Sequence, residues 1–170
     1  MKNYRSIAAL LWVVFTDSLG WGIAFSVFAP LILSEHSPLL SASVQHASRA
    51  TLYEFLLAIY SLFMFFFAPV IGGISDRFGR KPALQISMIG LTIGFLLCAA
   101  GCLWESFILL VFGRIVSGMT AASLSVAQAA VFDISTAETK ASYLSILVLA
   151  NCLGFSLGPL LGGVLEAYHF

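Results

Sequence analysis

The chain has 170 residues, of which 60% are hydrophobic and only 9% are charged, and its mean hydropathy is +1.00. An average soluble domain carries roughly 25% charged residues, so this composition excludes an ordinary soluble protein and indicates one that crosses a membrane several times. The eight basic and eight acidic residues cancel, so no basic surface predicts a nucleic-acid partner.

Five apolar stretches are long enough to cross a bilayer. A hydrocarbon core about 30 Å thick needs roughly 20 helical residues, whereas barrel strands would be shorter and would alternate in polarity. We therefore predict an all-α membrane protein with a single transmembrane domain over residues 1–170. Its five helices are expected, in chain order, at about 7–33, 53–74, 83–104, 107–131 and 142–165.

Two charged residues lie deep inside these stretches, Asp17 in the first helix and Arg114 in the fourth. Helix rise places Asp17 about 15 Å and Arg114 about 18 Å from the inner face, so the two can form a pair or share a cavity. An ionisable residue at such depth costs about 2.5–3.5 kcal/mol. Two roles fit this pattern: proton and substrate coupling, or a structural ion pair between two helices.

A charged turn joins the second and third helices. Gly72 is expected to allow a close backbone approach, and Gly79 to permit the positive dihedral of a tight reversal. The basic residues of the turn can meet acidic lipid, although a turn that only sets topology is the plain alternative. The charged members of the turn are Asp76, Arg77, Arg80 and Lys81.

Basic residues also predict the orientation of the chain. Of the basic residues outside the apolar stretches, only Arg49, in the predicted outer loop at 35–51, falls on one side of the membrane, and all the others fall on the opposite side. Because basic residues are concentrated on the cytoplasmic side, we expect a cytoplasmic N-terminus. The residues on the predicted cytoplasmic side are Lys2, Arg5, Arg77, Arg80, Lys81 and Lys140.

The fourth and fifth helices carry further polar and small residues. Gln128 and Asn151 either line a cavity or hydrogen-bond a neighbouring helix. Glycine recurs every fourth residue on one face of the fifth helix, where another backbone can approach, and Pro159 favours a bend. These glycines are Gly154, Gly158 and Gly162.

Residues 72–81 read Gly-Gly-Ile-Ser-Asp-Arg-Phe-Gly-Arg-Lys and resemble the major facilitator signature between helices 2 and 3, Gly-x-Leu-Ala-Asp-Arg-x-Gly-Arg-Lys. Residues 154–163 end in Gly162 and Gly163 and look like the Gly-x-x-x-Gly-Pro-x-x-Gly-Gly signature of its antiporters. Residues 15–22 and 53–163 look most like the tetracycline and multidrug proton antiporters.

The resemblance implies helices 1–5 of the N-terminal half of a proton-coupled drug or metabolite exporter in a bacterial inner membrane. Such transporters have two six-helix halves around a midplane site, so we expect the chain to be incomplete and to need further helices or a homologous chain. A small hydrophobic or cationic substrate and the proton gradient are implied. Alternatives are a non-transporting fragment that packs with other membrane helices, and a solute symporter.

The resemblance also implies roles for individual residues. Asp17 and Arg114 would couple protons to substrate, and Arg80 would pair with Asp133 in a latch that includes the charged turn. Asp76 would face a helix of the other half. The bend in the fifth helix would seal the cavity against proton leak. The sequence contains no catalytic set and no metal-ligand spacing, so we expect no enzyme, no cofactor and no metal.

Overall fold

A computed structural model describes the backbone of residues 2–34, 37, 39–40 and 45–169, with side chains for 6–34, 37, 39–40 and 45–164. The described chain forms helices α1 (Lys2–Leu33), α2 (His46–Phe78), α3 (Arg80–Leu103), α4 (Phe107–Met119), α5 (Ser123–Ile134) and α6 (Lys140–His169). The side chains of Lys2 and Arg5, which contribute to the predicted orientation, lie outside the described residues. So do residues 35, 36, 38 and 41–44 of the predicted outer loop.

Five segments of the described chain are helical, long enough and apolar enough to cross a membrane, which confirms the predicted all-α membrane fold. Helices α4 and α5 together make the fourth segment, and α6 makes the fifth. The five segments are Ser6–Leu33, His46–Phe78, Arg80–Leu103, Phe107–Ile134 and Lys140–Val164.

The second helix begins at His46, seven residues before the predicted start, and its first turn is exposed apart from Arg49, which contacts the end of α1. Arg49 is fully buried there and donates from Nη1 to the carbonyl oxygens of Ser34, at 2.6 Å, and Ile32, at 3.4 Å. Carbonyls at a helix C-terminus lack intrahelical partners, so an arginine side chain is a suitable donor. Arg49 therefore fastens the C-terminal end of α1.

The fourth segment is interrupted, which differs from the single helix predicted over 107–131. Helix α4 ends at Met119 and α5 begins at Ser123. Between them the hydroxyl of Thr120 donates to the carbonyl oxygen of Val116 at 3.1 Å. The backbone N–H of Ala121 donates to the carbonyl oxygen of Gly118 at 3.2 Å, a three-residue spacing that tightens the chain. Threonine hydroxyls compete with the backbone for carbonyl groups in this way.

Helices α1 and α6 touch backbone to backbone. A Cβ atom added at Gly158 would lie 2.6 Å from the Cα atom of Gly22, and one added at Gly162 would lie 2.6 Å from the Cβ atom of Ser26. One added at Gly154 would lie 2.5 Å from the carbonyl oxygen of Phe15. The glycine face of α6 therefore packs on α1, and no side chain fits between the two helices.

Two buried apolar clusters lie towards the two ends of the bundle, with the middle of α1 between them. One includes Val14 of α1 and Val131 of α5, and the other includes Ile32 of α1 and Leu110 of α4. Helix α3 packs closely against the interruption. A Cβ atom added at Gly90 of α3 would overlap the side chain of Thr120. The interruption is thus packed rather than loose.

Only Gly79 separates α2 from α3, and the other residues of the predicted charged turn lie within these two helices. Gly79 has φ 98° and ψ 161°, a region essentially restricted to glycine, as predicted for this position. No described residue makes the close approach predicted at Gly72, since a Cβ atom added there would meet no atom within 4 Å. That face of α2 is not covered by the other described helices.

The contact between α1 and α6 gives the first testable prediction. Gly158→Ala should lower the free energy of unfolding by about 1–3 kcal/mol, because the new methyl group meets the backbone of Gly22. Gly163→Ala is the matched control, since no atom lies within 4 Å of its added Cβ. Unfolding of the purified chain in detergent, followed by circular dichroism, measures both. Equal losses in the two variants would contradict the packing described.

Candidate functional site

A cavity of about 430 Å³ lies in the middle of the bundle, between α1, α2, α5 and α6. We call it the Asp17 cavity. Its lining combines one carboxylate, hydroxyl groups, two amides and aromatic rings, a mixture suited to binding a small molecule. The residues with polar or aromatic side chains are Asp17, Ser18, Trp21, Tyr60, Ser61, Ser123, Ser125, Gln128, Asn151 and Phe155.

The carboxylate of Asp17 is bound by the first residue of α5. The hydroxyl of Ser123 donates to Oδ2 of Asp17, and Ser123 is almost fully buried. Helix α5 begins at this residue without a side-chain cap on Ala122, so its N-terminal end carries unbonded N–H groups and a partial positive charge. The interruption of the fourth segment therefore brings both a hydroxyl donor and a helix N-terminus to the carboxylate.

The two uncharged amides in the cavity have different surroundings. Asn151 donates from Nδ2 to the hydroxyl oxygen of Ser18 at 2.6 Å, and Ser18 donates to the carbonyl oxygen of Val14 at 2.8 Å. Asn151 therefore both lines the cavity and joins α6 to α1. Gln128 lines the cavity and makes no hydrogen bond within the described chain. Gln128 therefore borders a space that is large enough for a small guest.

Arg114 lies against three aromatic rings and is not paired with Asp17 in the described structure. Its side chain is fully buried, and its guanidinium carbon lies 4.3 Å from the ring centroid of Tyr60, 5.2 Å from that of Trp21 and 5.8 Å from that of Phe28. Its Nε and Nη2 atoms have no hydrogen-bond partner among the described residues. The described residues include no Asp17–Arg114 ion pair, so the structure does not form the pair that their depths allow.

Arg80 forms a second polar cluster at the predicted cytoplasmic end. Its Nε atom donates to Oδ2 of Asp133 at 2.7 Å, and its Nη1 atom donates to Oδ1 of Asp76 at 2.6 Å and to the hydroxyl of Ser75 at 2.9 Å. The expected contact between Arg80 and Asp133 is thus present. Asp76, expected to face a helix outside this chain, also bonds Arg80. One guanidinium therefore joins the end of α2, the start of α3 and the end of α5.

The remaining basic residues of the turn are peripheral to this cluster. The guanidinium carbon of Arg77 lies 5.4 Å from the ring centroid of its neighbour Phe78. Lys81 lines an adjacent groove of about 460 Å³ between α1, α3 and α5. Neither residue belongs to an ion pair in the part of the chain that the structure describes.

Sequence reasoning missed seven of the polar and aromatic residues that line the cavity, among them Ser123, Trp21 and Tyr60. A serine or an aromatic residue within an apolar stretch has no distinctive pattern, because its role depends on which helix packs against it. The sequence did contain a signal for the ion pair between Asp76 and Arg80. Their separation of four residues is one that brings side chains together on a helix surface.

The comparisons with known proteins agree with this architecture. The family model described as Major Facilitator Superfamily matches residues 10–169. The chain is 35% identical over 162 residues to the class H tetracycline resistance protein of Pasteurella multocida, covering 95% of this chain and 38% of that protein. It is 36% identical over 168 residues to the class C tetracycline resistance protein of Escherichia coli, covering 98% of this chain and 39% of that protein.

The similarity extends beyond bacteria. Major facilitator superfamily domain-containing protein 10 of Mus musculus is 31% identical over 107 residues, which cover 63% of this chain and 23% of that protein. The chain therefore spans about two fifths of the length of its bacterial relatives.

The amides of the cavity give a second prediction. Asn151→Ala should lower the free energy of unfolding by about 0.6–1.7 kcal/mol, because it removes the hydrogen bond that joins α6 to α1. Gln128→Ala removes an amide of similar size that bonds nothing in the described chain, so its effect should be smaller. Equilibrium unfolding in mixed micelles measures the difference. A larger loss for Gln128→Ala than for Asn151→Ala would show that the assigned bond is not stabilising.

Proposed function

Since the chain belongs to the major facilitator superfamily, we propose that it supplies helices 1–5 of a proton-coupled exporter of small hydrophobic or cationic molecules. The observation that carries the proposal is the Asp17 cavity, which presents a carboxylate at membrane depth among hydroxyl, amide and aromatic groups. The names of the bacterial relatives favour an exporter over a symporter or a non-transporting fragment.

Asp17 is the proposed site of proton and substrate exchange. A carboxylate in a membrane is costly, and such residues normally mark ion or substrate pathways. A cationic or polar molecule in the cavity could bond the carboxylate and contact the rings of Trp21 and Tyr60. No metal or organic cofactor enters this mechanism, and the proton gradient supplies the energy.

The exchange is a competition for one carboxylate. A proton on Asp17 removes the charge that holds a cationic substrate, and a bound cation in turn opposes protonation. Because linkage is reciprocal, the two ligands weaken each other by the same factor. A site that binds substrate from the cytoplasm and a proton from outside would then drive export with inward proton flow.

The Arg80 cluster is the proposed latch of one transport state. Helix α5 carries Ser123, the partner of Asp17, at one end and Asp133, the partner of Arg80, near the other, about 15 Å apart along the helix axis. A change in the bond at Asp17 could shift α5 as a unit and so reach Arg80. This short helix is therefore the proposed link between the cavity and the latch.

The remaining features fit an exporter in a bacterial inner membrane, with the N-terminus in the cytoplasm. The chain spans about two fifths of its bacterial relatives, so we propose that further helices, or a homologous chain, complete the substrate site. The packing of α6 on α1 along its glycine face supports the proposed seal against proton leak, since the two backbones leave no room for water.

The role of Asp17 can be tested in a fusion in which residues 1–165 replace the matching segment of the class C relative. In everted vesicles, Asp17→Asn should abolish the proton movement that tetracycline induces, because an amide cannot exchange a proton. Glu54→Gln is the matched control, since Glu54 is exposed on α2 outside the cavity. Normal proton movement in Asp17→Asn, or none in the parent fusion, would overturn the proposal.

The latch can be tested by charge reversal in the same fusion. Arg80→Asp and Asp133→Arg should each reduce transport at least tenfold, because like charges then oppose each other where a bond lay at 2.7 Å. The double variant should recover part of the loss. If both single variants transport normally, or if the double variant is no better than the worse single one, the ion pair has no role in transport.

A further inference from the structure

Arg114 and the Asp17 cavity share two aromatic neighbours, Trp21 and Tyr60. Trp21 and Tyr60 both line the cavity, and both rings lie against the guanidinium of Arg114. Arg114 itself is absent from the cavity lining and is fully buried. We propose that Trp21 and Tyr60 form an aromatic partition that keeps the cation of Arg114 out of the cavity and away from Asp17.

The geometry of the two rings fits a partition. Their centroids are 5.0 Å apart with an interplanar angle of 74°, an edge-to-face contact that fixes each ring against the other. Trp21 comes from α1, one helical turn beyond Asp17, and Tyr60 comes from α2. Two helices therefore each contribute one ring to the boundary between the carboxylate and the cation.

Two nitrogen atoms of the Arg114 guanidinium lack hydrogen-bond acceptors among the described residues, so the group would be drawn towards a carboxylate if the partition opened. Its Nε and Nη2 atoms are buried without hydrogen-bond partners in the described residues, while the aromatic faces of Tyr60, Trp21 and Phe28 provide its attraction. Partnerless buried donors are costly, and a nearby carboxylate is the strongest acceptor for a guanidinium. The rings thus prevent an ion pair that the charges themselves favour.

This separation has a consequence for the exchange at Asp17. An arginine in contact with the carboxylate would occupy the group for which proton and substrate compete. Trp21 and Tyr60 are accordingly positioning residues, which act by keeping the carboxylate available. That consequence rests on the proposed function, whereas the shielding of Arg114 does not.

Arginine labelling of the purified 170-residue chain tests the shielding without any transport. The probe is p-hydroxyphenylglyoxal, which modifies accessible guanidinium groups, and the modified peptides are quantified by mass spectrometry. Arg77 is the internal reference, because it is exposed and belongs to no ion pair in the described chain. In the parent, Arg114 should be modified at least tenfold more slowly than Arg77.

Three variants distinguish a partition from general loosening. Removing both rings, with Trp21→Ala and Tyr60→Ala, should raise the labelling rate of Arg114 at least tenfold. Replacing both by phenylalanine keeps two rings and should preserve the protection. Phe155→Ala is the matched control, because Phe155 lines the same cavity and lies 6.2 Å from Trp21 between ring centroids, yet makes no ring contact with Arg114 in the described structure.

The labelling rates of Arg114 in the parent and the three variants decide between a partition and general loosening. Protection in the parent, in the phenylalanine pair and in Phe155→Ala, with rapid labelling only in the alanine pair, supports the partition. Rapid labelling in the parent, continued protection in a folded alanine pair, or equal acceleration by Phe155→Ala overturns it. If the alanine pair loses its helical circular dichroism, the phenylalanine pair and Phe155→Ala still test the proposal. Rapid labelling of Arg114 in the phenylalanine pair, which keeps both rings, would contradict it. None of these results depends on whether the fusion transports tetracycline.

Discussion

A carboxylate inside a membrane must find donors within the protein, and Asp17 finds one in the hydroxyl of Ser123. The interruption between α4 and α5 adds a helix N-terminus at this depth, which an unbroken helix would lack. The interruption depends in turn on Gly90 of α3, whose missing side chain leaves room for Thr120. The course of the fourth segment thus places the donor for this one carboxylate.

Close helix packing holds the other walls of the cavity in place. Gly22 and Gly158 let α1 and α6 meet along their backbones, and Asn151 adds a polar bond to Ser18 beside that contact. Without a hydrophobic driving force between helices in lipid, this kind of fit supplies much of the association energy. The cavity is therefore bounded by a pair of helices that meet along their backbones and by the interrupted segment.

Much of this fold could be predicted from the sequence because it follows from length and apolarity. The five spans, the glycine face of α6 and the positive dihedral at Gly79 are local properties of the chain. The interruption at residues 120–122 could not be foreseen, since it contains neither proline nor glycine and depends on packing against α3. The same limit applies to Arg114, whose aromatic partners come from two other helices.

We propose that Asp17 exchanges a proton with the cavity it lines, and the rest of the transport mechanism depends on that exchange. A difference infrared titration of the purified chain measures this directly through the carboxyl stretching band. We expect one titrating carboxyl band of the parent to be absent in Asp17→Asn, and we expect a cationic guest such as tetraphenylphosphonium to change this band in the parent. Identical titrations of the parent and Asp17→Asn would contradict the claim.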